Sequence, residues 1–166
     1  MVRFSFFLNL CPIMTHPAII FAPNIVNTLM DILNVTEHKE ELAELVNLLI
    51  SSRNDVISLN CEDMAYLFAE KCYLKRRYFS FPMKGERRLA SIIREIKELE
   101  PIDLRQFTSC IARIETSSEQ PVLMEELGDL ISLINLLNND VKFIWSYGTS
   151  PKITDDKCMI LLVLSK

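Results

Sequence analysis

Residues 77–99 read RYFSFPMKGERRLASIIREIKEL, and this stretch decides the class of fold. Arg77 to Phe81 is a short aromatic run stopped by Pro82, which predicts a strand. Gly85 supplies a turn. From Glu86 to Leu99 the apolar residues Leu89, Ile92, Ile93 and Ile96 recur at helical spacing, and Pro101 ends the pattern. A strand that feeds an amphipathic helix through a tight turn is a unit of an α/β sheet. Further along, Phe107 to Ile114 predicts a strand and Glu115 to Gln120 a polar loop. Val122 to Leu137 predicts a helix that Asn138-Asn139-Asp140 turns off. Val141 to Trp145 and Cys158 to Leu164 predict two final strands. The segment Tyr147 to Asp156, with Gly148 and Pro151, reads as a hairpin between them.

The residues before Arg77 are mainly helical. Asn60 opens a helix as its N-cap, with Asp63 three residues on, and the pattern runs to about Tyr73 with Met64, Leu67 and Phe68 on the inner side. Val56 to Leu59 reads as an extended connector after a break at Arg53-Asn54-Asp55. A longer helix covers Glu37 to Ser52. Its stripe is Leu42, Leu45, Val46, Leu49 and Ile50, and its polar face is Glu37, Glu40, Glu41 and Glu44. Asn24 to Leu33 predicts another helix. Phe4 to Leu10 and Pro17 to Ala22 predict strands. The expected fold is therefore α/β (α+β), a mainly four-stranded mixed sheet with flanking helices. It divides into a strand–helix segment at 1–36, a spine helix at 37–53 and a sheet domain at 54–166.

Composition narrows the function. The 166 residues are 49% hydrophobic and 24% charged, as in a folded globular chain. A net charge of −4 offers no general attraction to nucleic acid. Lys75-Arg76-Arg77 and Lys84 with Arg87-Arg88 read as solvated surface. No run reaches the roughly 18 apolar residues of a membrane span. The five cysteines (Cys11, Cys61, Cys72, Cys110 and Cys158) have no metal-ligand spacing, and only His16 and His38 could assist them. No metal site is expected. Reduced thiols in the cytoplasm suit this set better than a disulfide framework. Val2 to Met14 lacks the small-residue cleavage site of a signal peptide. Only three glycines occur, Gly85, Gly128 and Gly148, far apart. A phosphate-cradling loop needs several close together, so its N–H groups can approach the oxygens.

The spine helix, then VISLNCEDM, then a helix and a strand ending in SFPMKGERR, together resemble the FtsZ branch of the FtsZ and tubulin superfamily. There the central helix leads to a loop of the form N-x-D-x-x-D, and a later strand ends in a Gly-Glu-x-Arg turn. Gly85, Glu86 and Arg88 match that turn. The end of the chain is similar, with Asn139-Asp140-Val141 leading into a strand and Asp156 preceding the last one. PAIIFAPN resembles the end of the family's nucleotide domain. The likeness covers about Pro17 to Ser165, and what precedes Pro17 is too short for the family's GTP-binding half.

The resemblance implies a composite site. Family members hold GTP on one subunit, while the loop after the next subunit's spine helix supplies carboxylates that polarise water and help hold the cation. Position by position, Ser58 stands for the Asn, Asn60 for the first Asp, and Asp63 for the second. Any catalytic contribution of Ser58, Asn60 and Asp63 is thus expected only in trans. An amide orients water but is no base at neutral pH. Asn60 and Asp63 also make a plain helix cap. Asn24 matches a guanine-contacting Asn, although Ile25 replaces the usual next residue, and Asn24 is equally a helix N-cap.

Three functions follow as expectations. The first is a non-catalytic interaction module that docks on a complete FtsZ/tubulin-like GTPase filament. It would need no cofactor of its own, would meet GTP only at a shared interface, and would not hydrolyse it alone. The second is a fragment of a full polymer-forming GTPase. The third is an unrelated small α/β enzyme or ligand-binding domain using Glu62, Asp63, Glu86, Asp155 or Asp156, which would need a deep cleft. Phe4, Phe6, Phe7 and Leu10 further suggest self-association. Equilibrium ultracentrifugation at tens of micromolar, roughly the range that detects contacts of moderate affinity, is expected to show more than monomer.

Overall fold

In a computed structural model, residues 39–50, 54–68, 73–154 and 156–166 are described. The predicted segments at 4–10, 17–22 and 24–33 lie outside them. The spine helix α1 spans Lys39–Ile50 and is followed by strand β1, Asn54–Ile57, and helix α2, Cys61–Phe68. Strand β2, Tyr73–Phe79, leads through the Gly85 turn into α3, Arg88–Leu99. A short 3₁₀ turn at Leu104–Gln106 precedes β3, Ser109–Thr116. Two short helices, α4 at Met124–Leu127 and α5 at Leu130–Ile134, come before β4, Lys142–Thr149, and β5, Cys158–Ser165.

The strands form one mixed sheet in the order β1-β4-β3-β5-β2. Only β3 and β4 run parallel, and the other three neighbouring pairs are antiparallel. Every residue of β5 is buried. This explains its unbroken apolar sequence, because a strand covered on both faces has no polar side to alternate with. The pleat divides its side chains. Cys158, Ile160, Leu162 and Leu164 point to a core completed by Leu89, Ile92, Ile93 and Ile96 of α3 and by Leu130 and Leu133 of α5. Met159, Leu161 and Val163 point to the opposite core, which Leu45, Val46 and Leu49 of α1 and Met64 and Leu67 of α2 complete. Three layers result, with helices on both faces of the sheet.

The α3 helix forms as its periodicity predicts, and Gly85 adopts φ 81°, a conformation that suits glycine. Glu100 closes the helix on β2, where it accepts a hydrogen bond from Tyr78 and an ion pair from Arg76 at 3.2 Å. Burial, and then the bond to Glu100, push the Tyr78 phenol well above its ordinary value. Cys110 and Cys158 are free and buried, and burial raises both thiols, Cys158 to about 12. They serve as small apolar side chains.

The structure departs from the sequence reading at four places. The sheet has five strands, because Asn54–Ile57 pairs with β4 where an extended connector was expected. Tyr73 opens β2, so helix α2 does not extend to it. The single helix expected over Val122–Leu137 is two, interrupted at Gly128 and Asp129. Glycine is a weak helix former, and the flanking carboxylates pair with arginines at the start of α3: Glu126 with Arg88, its first residue, and Asp129 with Arg87, which precedes it. Finally, Tyr147 to Asp156 is no hairpin. β4 and β5 do not pair, because β3 lies between them and pairs with both. Leu162, wholly buried at the sheet centre, is the test of this packing. Leu162→Ala should cost about 2–5 kcal/mol in urea unfolding, whereas Val56→Ala, at a residue 69% exposed, should stay within about 0.5 kcal/mol.

Candidate functional site

The segment from Ser58 to Asp63 leaves the sheet edge at the end of β1 and opens helix α2. Its inner side is pinned by Leu59, and Met64 and Leu67 carry α2 onto the sheet. Its outer side faces solvent: Ser58, Asn60 and Glu62 are exposed, and Asp63 is half-buried. Asn60 and Asp63 satisfy each other. The Asp63 N–H donates to Asn60 Oδ1 at 2.7 Å, and the Asn60 N–H donates to Asp63 Oδ2 at 3.0 Å. This is a reciprocal capping box with Asn and Asp in place of Ser and Glu. The sequence reading of these two residues as a helix cap is therefore what the geometry displays. The cap occupies one oxygen of the Asp63 carboxylate.

An apolar rim surrounds the loop. Val56 is 69% exposed, Tyr66 53% and Ile57 38%. Val56 is thrust outward because β1 bulges: Asp55 pairs with Gly148 and Ile57 with Tyr147, leaving Val56 as the extra residue. The ammonium of Lys142, at the start of β4, lies over the Tyr66 ring, a cation–π contact that joins α2 to the strand. Nothing in the sequence pattern pointed to Tyr66, Lys142 or the bulge, since all three depend on pairing between distant segments.

The Gly-Glu-x-Arg turn is occupied by structural bonds. Glu86 Oε2 accepts the Met83 N–H at 2.8 Å, and Glu86 pairs with Arg94 at 3.0 Å. The Arg94 hydrogen bonds hold the Glu86 carboxyl below its ordinary value. Arg88 binds the carbonyls of Gln120 and Pro121, each at 2.9 Å, and Glu126 at 2.6 Å. Burial works to raise the Glu126 carboxyl, but the bonds from Arg88 and from the Leu123 N–H hold it below its ordinary value. The turn thus clamps the loop after β3 to the start of α3.

The remaining candidate residues are scattered. Glu62 and Asp63 sit at the α2 end of the molecule, Glu86 belongs to the clamp, and Asp156 is exposed in the segment before β5. Asn24 and Asp155 lie outside the described residues. Among the described residues no three His, Cys, Asp or Glu side chains gather as a metal site, and no helix is long and apolar enough to cross a membrane. The best-formed depressions measure about 270 and 220 Å³. Both are shallow and open, on the α3 side of the sheet; Arg94 and Asp129 line the first, Glu100 and Arg105 the second. Neither includes a residue from 58 to 63.

No sequence-family profile and no curated protein sequence matches the chain. Solved structures do. An empty FtsZ dimer from M. jannaschii superposes with a TM-score of 0.58 at 14% identity, over 85% of this chain and 43% of that one. A tryptophan-to-tyrosine variant of FtsZ from M. jannaschii gives 0.57 at 13% identity, over 83% of this chain and 44% of that one. The protein has an FtsZ/tubulin-like fold, and the chain spans less than half the length of the FtsZ structures it resembles.

The cap yields a stability test. Asn60→Ala should cost about 1 kcal/mol, and Asp63→Ala a similar amount by removing the return bond. Because the two bonds form one box, the double variant should cost less than the sum. Urea titrations of the four proteins measure this. Full additivity would mean that the two side chains act separately.

Proposed function

We propose that the chain is a non-catalytic FtsZ/tubulin-like interaction module of the cytoplasm, which docks on or modulates a cytoskeletal GTPase filament through the loop at 58–63. The observation that carries the reading is the loop itself: an exposed, capped turn at a helix start, rimmed by Val56, Ile57 and Tyr66. Exposed aromatic and aliphatic side chains around a polar centre suit a protein contact. Asn60 is neutral, so of the three positions matched to the family's loop only Asp63 carries a carboxylate, with one oxygen already engaged by the cap. Ser58 and Asn60 can orient a water by hydrogen bonding but cannot deprotonate it. With only three separated glycines in the sequence, GTP would be held by the partner, at the shared interface.

A second reading is favoured by length, since the matched part of this chain covers only 43% of the FtsZ structure. The chain would then be one part of a polymer-forming GTPase, and the same loop would face the nucleotide of the next subunit.

Sedimentation tests the docking reading. Filaments of a complete FtsZ-like protein from the same cell should pellet with this chain, with altered assembly or GTP turnover. Val56→Asp with Tyr66→Ala should abolish the co-pelleting while leaving the fold intact by circular dichroism. GTP turnover by the purified chain alone, or co-pelleting indifferent to the double variant, would overturn the docking proposal.

A further inference from the structure

Arg113 is a charged residue within the buried strand β3, and its side chain is completely shielded from solvent. It projects to the α1 and α2 side of the sheet, opposite to Cys110, Ala112 and Ile114. All three of its nitrogens are engaged there. Nε donates to Glu115 Oε1 at 2.9 Å, Nη1 to the Leu49 carbonyl at 2.7 Å, and Nη2 to Asp55 Oδ1 at 2.7 Å. Leu49 is in the last turn of α1, where carbonyls lack helical partners and a cation is favoured. Asp55 is the second residue of β1, three before Ser58. Glu115, on the same strand and itself buried, balances the charge and braces the guanidinium in the orientation that reaches the other two.

One side chain therefore grips the end of the spine helix and the start of the strand that delivers the loop. β1 is four residues long, bulges at Val56, and among the described strands pairs with β4 alone. A short bulged strand at a sheet edge is the kind of element that opens locally, at a cost well below that of global unfolding. We propose that Arg113 is the positioning residue of the 58–63 loop. It fixes the exit of the spine helix and the entry of β1 to one point on β3, so that the helix end and the loop hold a common position on the sheet. The inference rests on the buried network and stands whether or not the loop docks on a filament.

The planar fork of arginine is what allows three acceptors to be reached at once. The ammonium of lysine is a point charge on a flexible stem and lacks that spread. Amide hydrogen exchange on the full chain tests the proposal, with Asp55→Asn, Arg113→Lys and Arg113→Met compared against the unaltered protein. In Asp55→Asn, exchange over residues 54–60 should rise at least tenfold, while residues 45–50 of α1 and 158–164 of β5 keep their protection. In Arg113→Met both 45–50 and 54–60 should rise together, with β5 unchanged. Arg113→Lys should leave at least one of the two segments deprotected. If Arg113→Met does not fold, the other two variants decide. Loss of protection spread evenly over the chain, β5 included, would make Arg113 a general contributor to stability and overturn the proposal. Full protection of 54–60 in Asp55→Asn, or of both segments in Arg113→Lys, would also overturn it.

Discussion

A strand with no polar face must be covered twice, and β5 imposes that requirement on the whole molecule. Its eight residues are buried and alternate between two cores. One core calls for α3, α4 and α5, the other for α1 and α2. Hydrophobic burial of this kind is the main favourable term in folding, so the two helix layers are held by the same strand from opposite sides. Arg113 is a wholly buried charge set inside this apolar framework. A buried charge is tolerated only when fully paired, and removing one partner of such a pair costs several kcal/mol. The network of Arg113, Glu115, Asp55 and the Leu49 carbonyl meets that condition. It does so at the place where the spine helix gives way to the sheet.

Much of this was legible from local pattern. The α3 helix, the Gly85 turn, the apolar β5 and the Asn60–Asp63 cap each depend on residues within a few positions of one another, where spacing and side-chain chemistry suffice. What failed was non-local. Asn54–Ile57 carries a polar residue, an acid and an outward-facing valine, and becomes a strand because β4 and Arg113 receive it. The expected helix over 122–137 is interrupted at Gly128 and Asp129, beside which Arg87 and Arg88, some forty residues earlier, hold Asp129 and Glu126. Two strands near each other in sequence were expected to pair, yet β3 stands between them. Arg113 carried a signal that was missed: a lone arginine inside the run Cys110-Ile111-Ala112-Arg113-Ile114 has to find buried partners.

The same distinction applies to the motifs. Those carried over by resemblance to FtsZ fold into structural roles that the geometry accounts for. Asn60 and Asp63 cap α2, Glu86 closes its own turn, and Arg88 ties the loop after β3 to α3. A short motif can persist because it shapes the backbone, whether or not the chemistry once attached to it is still performed.

The strand order has one more consequence, for how the chain comes together. Among the described strands β2 pairs with β5 alone, whereas β1, β4 and β3 form a separate ladder. Both neighbours of β5 depend on it: without the segment 158–165, β2 loses its one ladder among the described strands and β3 keeps only β4. The same segment of a second copy offers the same backbone and side chains, so β5 is the strand whose exchange between copies this topology would permit.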